Sequence, residues 1–213
     1  MADKIETLNK LSEALLGLTN DQIIAKCKAI PNITTIPLED CNNKIIDVYV
    51  TPAIAGYRAD LFEFVKAARD EYANICTLPV VREMPRICFQ QFVRQNIDGS
   101  LMNSNKEIWL NTDANINADY FASVYVHEAT HFCQQELLNW DDLHNMTKPE
   151  ILYDEEFEAF SVQRKYLQSV GSRHPLTEWS DGKLRSMIVK NYEWQAKKKV
   201  REYAAERARM GER

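Results

Sequence analysis

The sequence predicts an α+β fold, and three observations carry that reading. Short β-branched runs stand in the first half of the chain, and long helical stretches fill the second half. Residues 116–138, INADYFASVYVHEATHFCQQELL, contain neither Gly nor Pro, as a long helix requires. Between two apolar runs, IDGSLMNSNK supplies the turn chemistry of a hairpin. At 213 residues the chain suits a single domain, 1–213. Its core is expected over about 44–170, with a helical N-terminal region at 1–43 and a basic helical C-terminal region at 176–213.

The elements follow in order. Ile5, Leu8, Leu11, Leu15 and Leu18 form a helical stripe. Thr19 or Asn20 can cap a short second helix, DQIIAKCKAI, which Pro31 ends. KIIDVYV (44–50) reads as a strand, and Pro52 then opens a helix running to about Ile75, with Leu61, Phe64, Val65 and Ala68 on one side. Residues 77–86, with two prolines, read as a loop. RICFQQFVRQ (86–95) and EIWLN (107–111) read as strands. The helix at 116–138 takes Asn115 or Asn117 as its cap, and the polar loop NWDDLHNMTKPE leads to a helix from Pro149 to Val170. A GSRHP break precedes a last helical region from about Thr177 to Arg209.

Composition narrows the class. The 45% hydrophobic and 27% charged fractions are those of a globular protein, and a net charge of -5 argues against nucleic-acid binding by the whole chain. Charge is uneven, because residues 183–213 hold ten Lys and Arg against four Glu, a net of +6. The mixed signs at helical spacing, as in Glu193–Lys197, favour a solvated helix packed on the body, with an acidic partner as the alternative. Five scattered cysteines without CxxC spacing read as reduced thiols, with Cys133 a small core residue. No basic, apolar leader and no bilayer-length apolar run is present, so the expectation is a cytoplasmic protein with no membrane association.

The chemistry is concentrated in VYVHEATHFCQ (124–134). His127 and His131 are four residues apart, about 40° around a helix, so both imidazoles leave one face and can reach one ion. Glu128 lies beside that ion rather than on its axis, where a general base for a metal-bound water is wanted. The His-Glu-x-x-His pattern is complete and its helical context is present. A tetrahedral catalytic zinc needs a third protein ligand. His144, Asp141 and Asp142 lie in a loop or turn signal, and Gln134 and Leu137 stand where a metzincin has its glycine and third histidine. That leaves Glu155, Glu156 and Glu158 in YDEEFEAFSVQRKYL.

HEATH followed by EFEA resembles the gluzincin branch of the zincin metallopeptidases, over roughly residues 86–170. The resemblance implies a zincin-like sheet packed on the motif helix and a ligand helix. It implies zinc (Zn2+) held by His127, His131 and Glu156, with Glu128 as base. EIWLN resembles the edge strand that those enzymes lay along a peptide or protein substrate. Gluzincins often add a Tyr or His that holds the oxyanion; Tyr153 is the first candidate here, with Tyr166, Tyr192 and His174 as others. Helix geometry also favours Glu156: its face carries Leu152, Tyr153, Ala159, Phe160 and Gln163, whereas Glu158 shares a polar stripe with Asp154 and Lys165. Glu155 falls between them as the competitor. The expected function is a zinc-dependent peptidase; the alternatives are a non-proteolytic metal-binding module on the same scaffold and a structural protein with a fortuitous motif.

Overall fold

The structure, a computed structural model, describes residues 17–39, 44–91, 97–102, 105–114, 117–137 and 149–193. The N-terminal helical stripe apart from Leu18, the loop carrying Asp141, Asp142 and His144, and most of the basic tail lie outside those residues. The described chain is mixed α+β, in agreement with its pattern of elements.

Helix α1 (Asn20–Lys28) starts in a capping box: the Thr19 hydroxyl accepts from the Gln22 amide while the Gln22 side chain accepts from Thr19 N. An antiparallel pair follows, β1 (Thr34–Glu39) with β2 (Ile45–Val50). Helix α2 spans Ala59–Lys66, and a 3-10 turn covers Asp70–Asn74. The main sheet has three strands, β3 (Val80–Met84), β4 (Gly99–Met102) and β5 (Glu107–Asn111), in the order β3-β5-β4. A short helix α3 (Arg86–Phe89) follows β3. Long helices α4 (Ala118–Leu137) and α5 (Pro149–Ser169) pack on each other, and α6 occupies 181–193.

Five expectations are corrected. The helix read from Pro52 to Ile75 is confined to Ala59–Lys66, because Gly56 and Arg58 turn through positive φ and Ile54 bonds to Val81. Residues 77–86 are not all loop: Pro79 and Pro85 flank β3, where their missing N–H groups break no rung of the ladder. RICF is a helix turn opened by Pro85, not a strand. GSLM is strand β4 rather than turn. Finally EIWLN, as β5, is the central strand, parallel to β3 and antiparallel to β4.

That last correction has a packing cause. All five residues of β5 are buried, because both faces are covered. Ile108 and Leu110 join Val81, Val124, Tyr125 and Ala129 in the core under α4. Trp109 faces the other way, into a second core with Ile23 of α1, Val48 of β2, Met84 of β3 and Phe89 of α3. A third cluster, Leu167, Leu176, Leu184 and Ile188, seats α6 against α5. No helix among the described residues is long and apolar enough to cross a membrane.

Candidate metal centre

Helix α4 carries the motif, and its start is held by Asn117, whose Oδ1 accepts from the Asp119 and Tyr120 amides at 2.8 and 3.3 Å. Helix α5 crosses it with the small Ala159, fully buried, at the contact. Two polar links hold the pair in register. Gln163 Nε2 donates to Ser123 Oγ at 3.1 Å, and Gln134 Nε2 donates to the Glu155 carbonyl at 3.0 Å. Glu156, between those links, therefore points at the histidines.

His127 Nε2 and His131 Nε2 are 3.2 Å apart, and Glu156 Oε2 is 3.6 Å from the first and 3.5 Å from the second. Ligand atoms about 2.0–2.1 Å from one tetrahedral ion stand about 3.3–3.4 Å from each other. The three observed separations bracket that value, so these residues could hold a metal ion. Neither Glu155 nor Glu158 belongs to the group. His127 and Glu156 side chains are 9% and 10% exposed and His131 18%, so the cluster opens on the His131 side.

A buried polar atom supports the fit. Glu156 Oε2 has no hydrogen-bond partner among the described residues, although a buried carboxylate oxygen is costly unless paired. A cation shared by the three atoms removes that cost. His127 Nδ1 is also unpartnered, with the Phe160 ring 4.4 Å from the imidazole. Without an ion the cluster is an ion pair. Burial opposes charge on His131, but the neighbouring Glu156 carboxylate outweighs it and raises the imidazole pKa to about 9. Burial likewise works against ionised Glu156, and the two imidazoles overcome it, holding the carboxyl well below the usual range.

Glu128 stands beside the cluster and outside it. Its Oε2 accepts from Leu101 N of β4 at 2.8 Å. Burial raises its pKa, helped by the Glu156 charge and opposed by both histidines. The close approach of β4 to α4 depends on Gly99: a Cβ there would lie 2.6 Å from Val124 Cγ1 and 2.9 Å from Glu128 Cγ. Asp98 anchors the start of β4, accepting from Arg86 and from the Tyr120 hydroxyl, each at 3.0 Å. Beyond β4 no further strand pairs among the described residues, so this edge lies next to Glu128.

Of the aromatic candidates, Tyr192 comes to the site. Its pKa is raised by burial first and then by the Glu156 and Glu128 carboxylates, with a hydrogen bond to Glu156 adding. Its ring meets Phe160, which in turn meets His127. Tyr153 packs half-buried in the α5–α6 cluster, and among the described residues it makes no hydrogen bond to the three ligands. Tyr166 packs on Phe64, and His174 stacks on Tyr120.

Glu158 departs from its expected solvated stripe: it accepts from Tyr72 Oη at 2.8 Å and from Gln134 Nε2 at 3.0 Å. Gln134, notable in the sequence only for standing at a metzincin's glycine position, places its Oε1 2.7 Å from His131 Nδ1. The available signal was its i+3 spacing from His131. Tyr192, one of the aromatic candidates, is brought to the site by α6, whose Leu184 and Ile188 seat it against α5. No known protein family, no curated protein and no solved structure matches this chain.

Proposed function

We propose that the protein is a zinc-dependent peptidase. The observation that carries the reading is a division of labour among four side chains, three of them buried and His131 partly open. Two imidazoles and one carboxylate converge at tetrahedral spacing, while a second carboxylate, Glu128, stands adjacent and is tethered to β4, the last strand of the sheet among the described residues. A site built only to store a metal has no use for that fourth group. The arrangement resembles the gluzincin pattern of His-Glu-x-x-His with a glutamate from a second helix.

Zinc held by His127, His131 and Glu156 would polarise a carbonyl and bring the pKa of water to about 7. The chain's own residues supply the rest. The Leu101 amide occupies Glu128 Oε2, which leaves Oε1 to accept a proton from water and later return it to the leaving amine. Burial makes Glu128 a stronger base than a surface carboxylate. The edge of β4, which no other strand pairs among the described residues, suits an extended peptide, which would add as a strand and bring its backbone past Glu128. Tyr192 Oη, held beside Glu156, would donate to the oxygen that gains charge.

The test is cleavage of a peptide library by the zinc-loaded protein and by Glu128→Gln. The variant should bind zinc like the wild type and cleave nothing, because an amide cannot take the proton. A zinc-loaded wild type that cleaves no peptide, or a Glu128→Gln variant that still cleaves, overturns the reading.

A further inference from the structure

The hydrogen bonds behind His131 form a chain that ends far from the motif in sequence. His131 Nδ1 lies 2.7 Å from Gln134 Oε1. The Gln134 amide faces two groups that only accept, the Glu155 carbonyl and Glu158 Oε2, each at 3.0 Å, so its NH2 end must point to them. Its oxygen is thereby turned to the imidazole, and a carbonyl oxygen can only accept. Nδ1 therefore carries a hydrogen, and in the neutral ring the Nε2 lone pair faces His127 and Glu156. Glu158 is itself fixed, because the hydroxyl of Tyr72, which is fully buried, donates to its Oε1 at 2.8 Å. Arg69 adds a longer contact of 3.8 Å, but it is 45% exposed and contributes little.

We propose that Gln134 and Glu158 are positioning residues for the metal: a carboxylate–amide–imidazole relay, braced by Tyr72, that aims His131 Nε2 and strengthens it as a donor. This rests on the metal-binding reading above and adds to it the residues that set affinity. Three features carry it. The amide orientation admits one solution, Glu158 holds that orientation by accepting from the amide behind the ligating ring, and the brace comes from the 3-10 turn rather than from either ligand helix. His127 lacks such support, its Nδ1 being unpartnered among the described residues. Outer partners of ligating histidines typically change metal affinity about 10–100-fold. Here that influence should fall on His131.

The experiment measures zinc affinity of the full chain at one fixed pH, by competition with a chromophoric chelator. The metal-free melting temperature is recorded for each variant. Gln134→Leu should bind zinc about 10–100-fold more weakly. Glu158→Leu should also weaken binding, whereas Glu158→Gln should recover most of the affinity. A glutamine oxygen can accept from Gln134, and its NH2 can donate to the Tyr72 hydroxyl. A purely structural role would lower the melting temperature without this rescue pattern. Wild-type affinity in both Gln134→Leu and Glu158→Leu overturns the relay while leaving the metal site standing. A wild type that binds no zinc overturns the site itself, and the relay with it.

Discussion

Gly99→Ala tests how closely the strand edge and the motif helix must approach. The glycine does not adopt positive φ, so alanine brings no backbone strain and its effect is steric. The new Cβ would stand 2.6 Å from Val124 Cγ1 and 2.9 Å from Glu128 Cγ. Those contacts must open to about 3.5 Å, so β4 and α4 part by close to 1 Å. The 2.8 Å bond from Leu101 N to Glu128 Oε2 then stretches past about 3.5 Å and is lost. Overpacking costs about 1–3 kcal/mol and losing a hydrogen bond to a carboxylate about 1.5–3 kcal/mol. One movement causes both, so the combined cost is about 3 kcal/mol, a fall of about 6–12 °C in Tm for a chain of this size. The assay is thermal unfolding in chelator, which prevents bound metal from masking the loss. Gly182→Ala is the control: no atom lies within 4 Å of its added Cβ, so it should leave Tm unchanged or slightly raised. A Gly99→Ala protein melting within about 2 °C of wild type refutes the reasoning.

Zinc affinity should depend on pH with a definite sign. The metal-free imidazole of His131 keeps its proton to about pH 9, above the ordinary 6.5. Its pairing with Glu156 therefore stabilises the metal-free fold below about pH 6.5 and is lost as pH rises through about 9. Zinc must displace that proton, so apparent affinity should rise about tenfold per unit between pH 7 and 8 and level off near 9. Affinity that stays flat over pH 7–8 contradicts the pairing. Tyr192→Phe should leave zinc affinity near wild type and lower kcat about 100-fold, as loss of an oxyanion donor does. Unchanged kcat in that variant removes Tyr192 from the chemistry.

What could be read from the residues followed the range of the interactions involved. His127, Glu128 and His131 were legible because one helix turn sets their relation, and Glu156 because Ala159 and Leu152 mark the face that packs inward. The capping box at Thr19 and the cap at Asn117 are equally local. The sheet was harder to read. Whether EIWLN is edge or centre depends on covering Trp109 from below with α1 and α3, segments distant in the chain. The prolines around VVREM masked a strand that they only delimit. Glu158 looked solvated because its partner, Tyr72, is 86 residues away. Tyr192 reaches the site only because α6 folds back onto α5, which helical periodicity alone does not specify.

The most direct test of the account is the zinc content of the purified protein and of two variants, measured by elemental analysis after exposure to zinc and removal of the excess. About one zinc per chain is expected in the wild type and in Glu155→Ala, because Glu155 lies outside the ligand cluster. Glu156→Ala should lose it, since His127 and His131 alone cannot complete the site. A wild type that takes up no zinc, or a Glu155→Ala protein that is empty while Glu156→Ala stays loaded, would contradict the site described here.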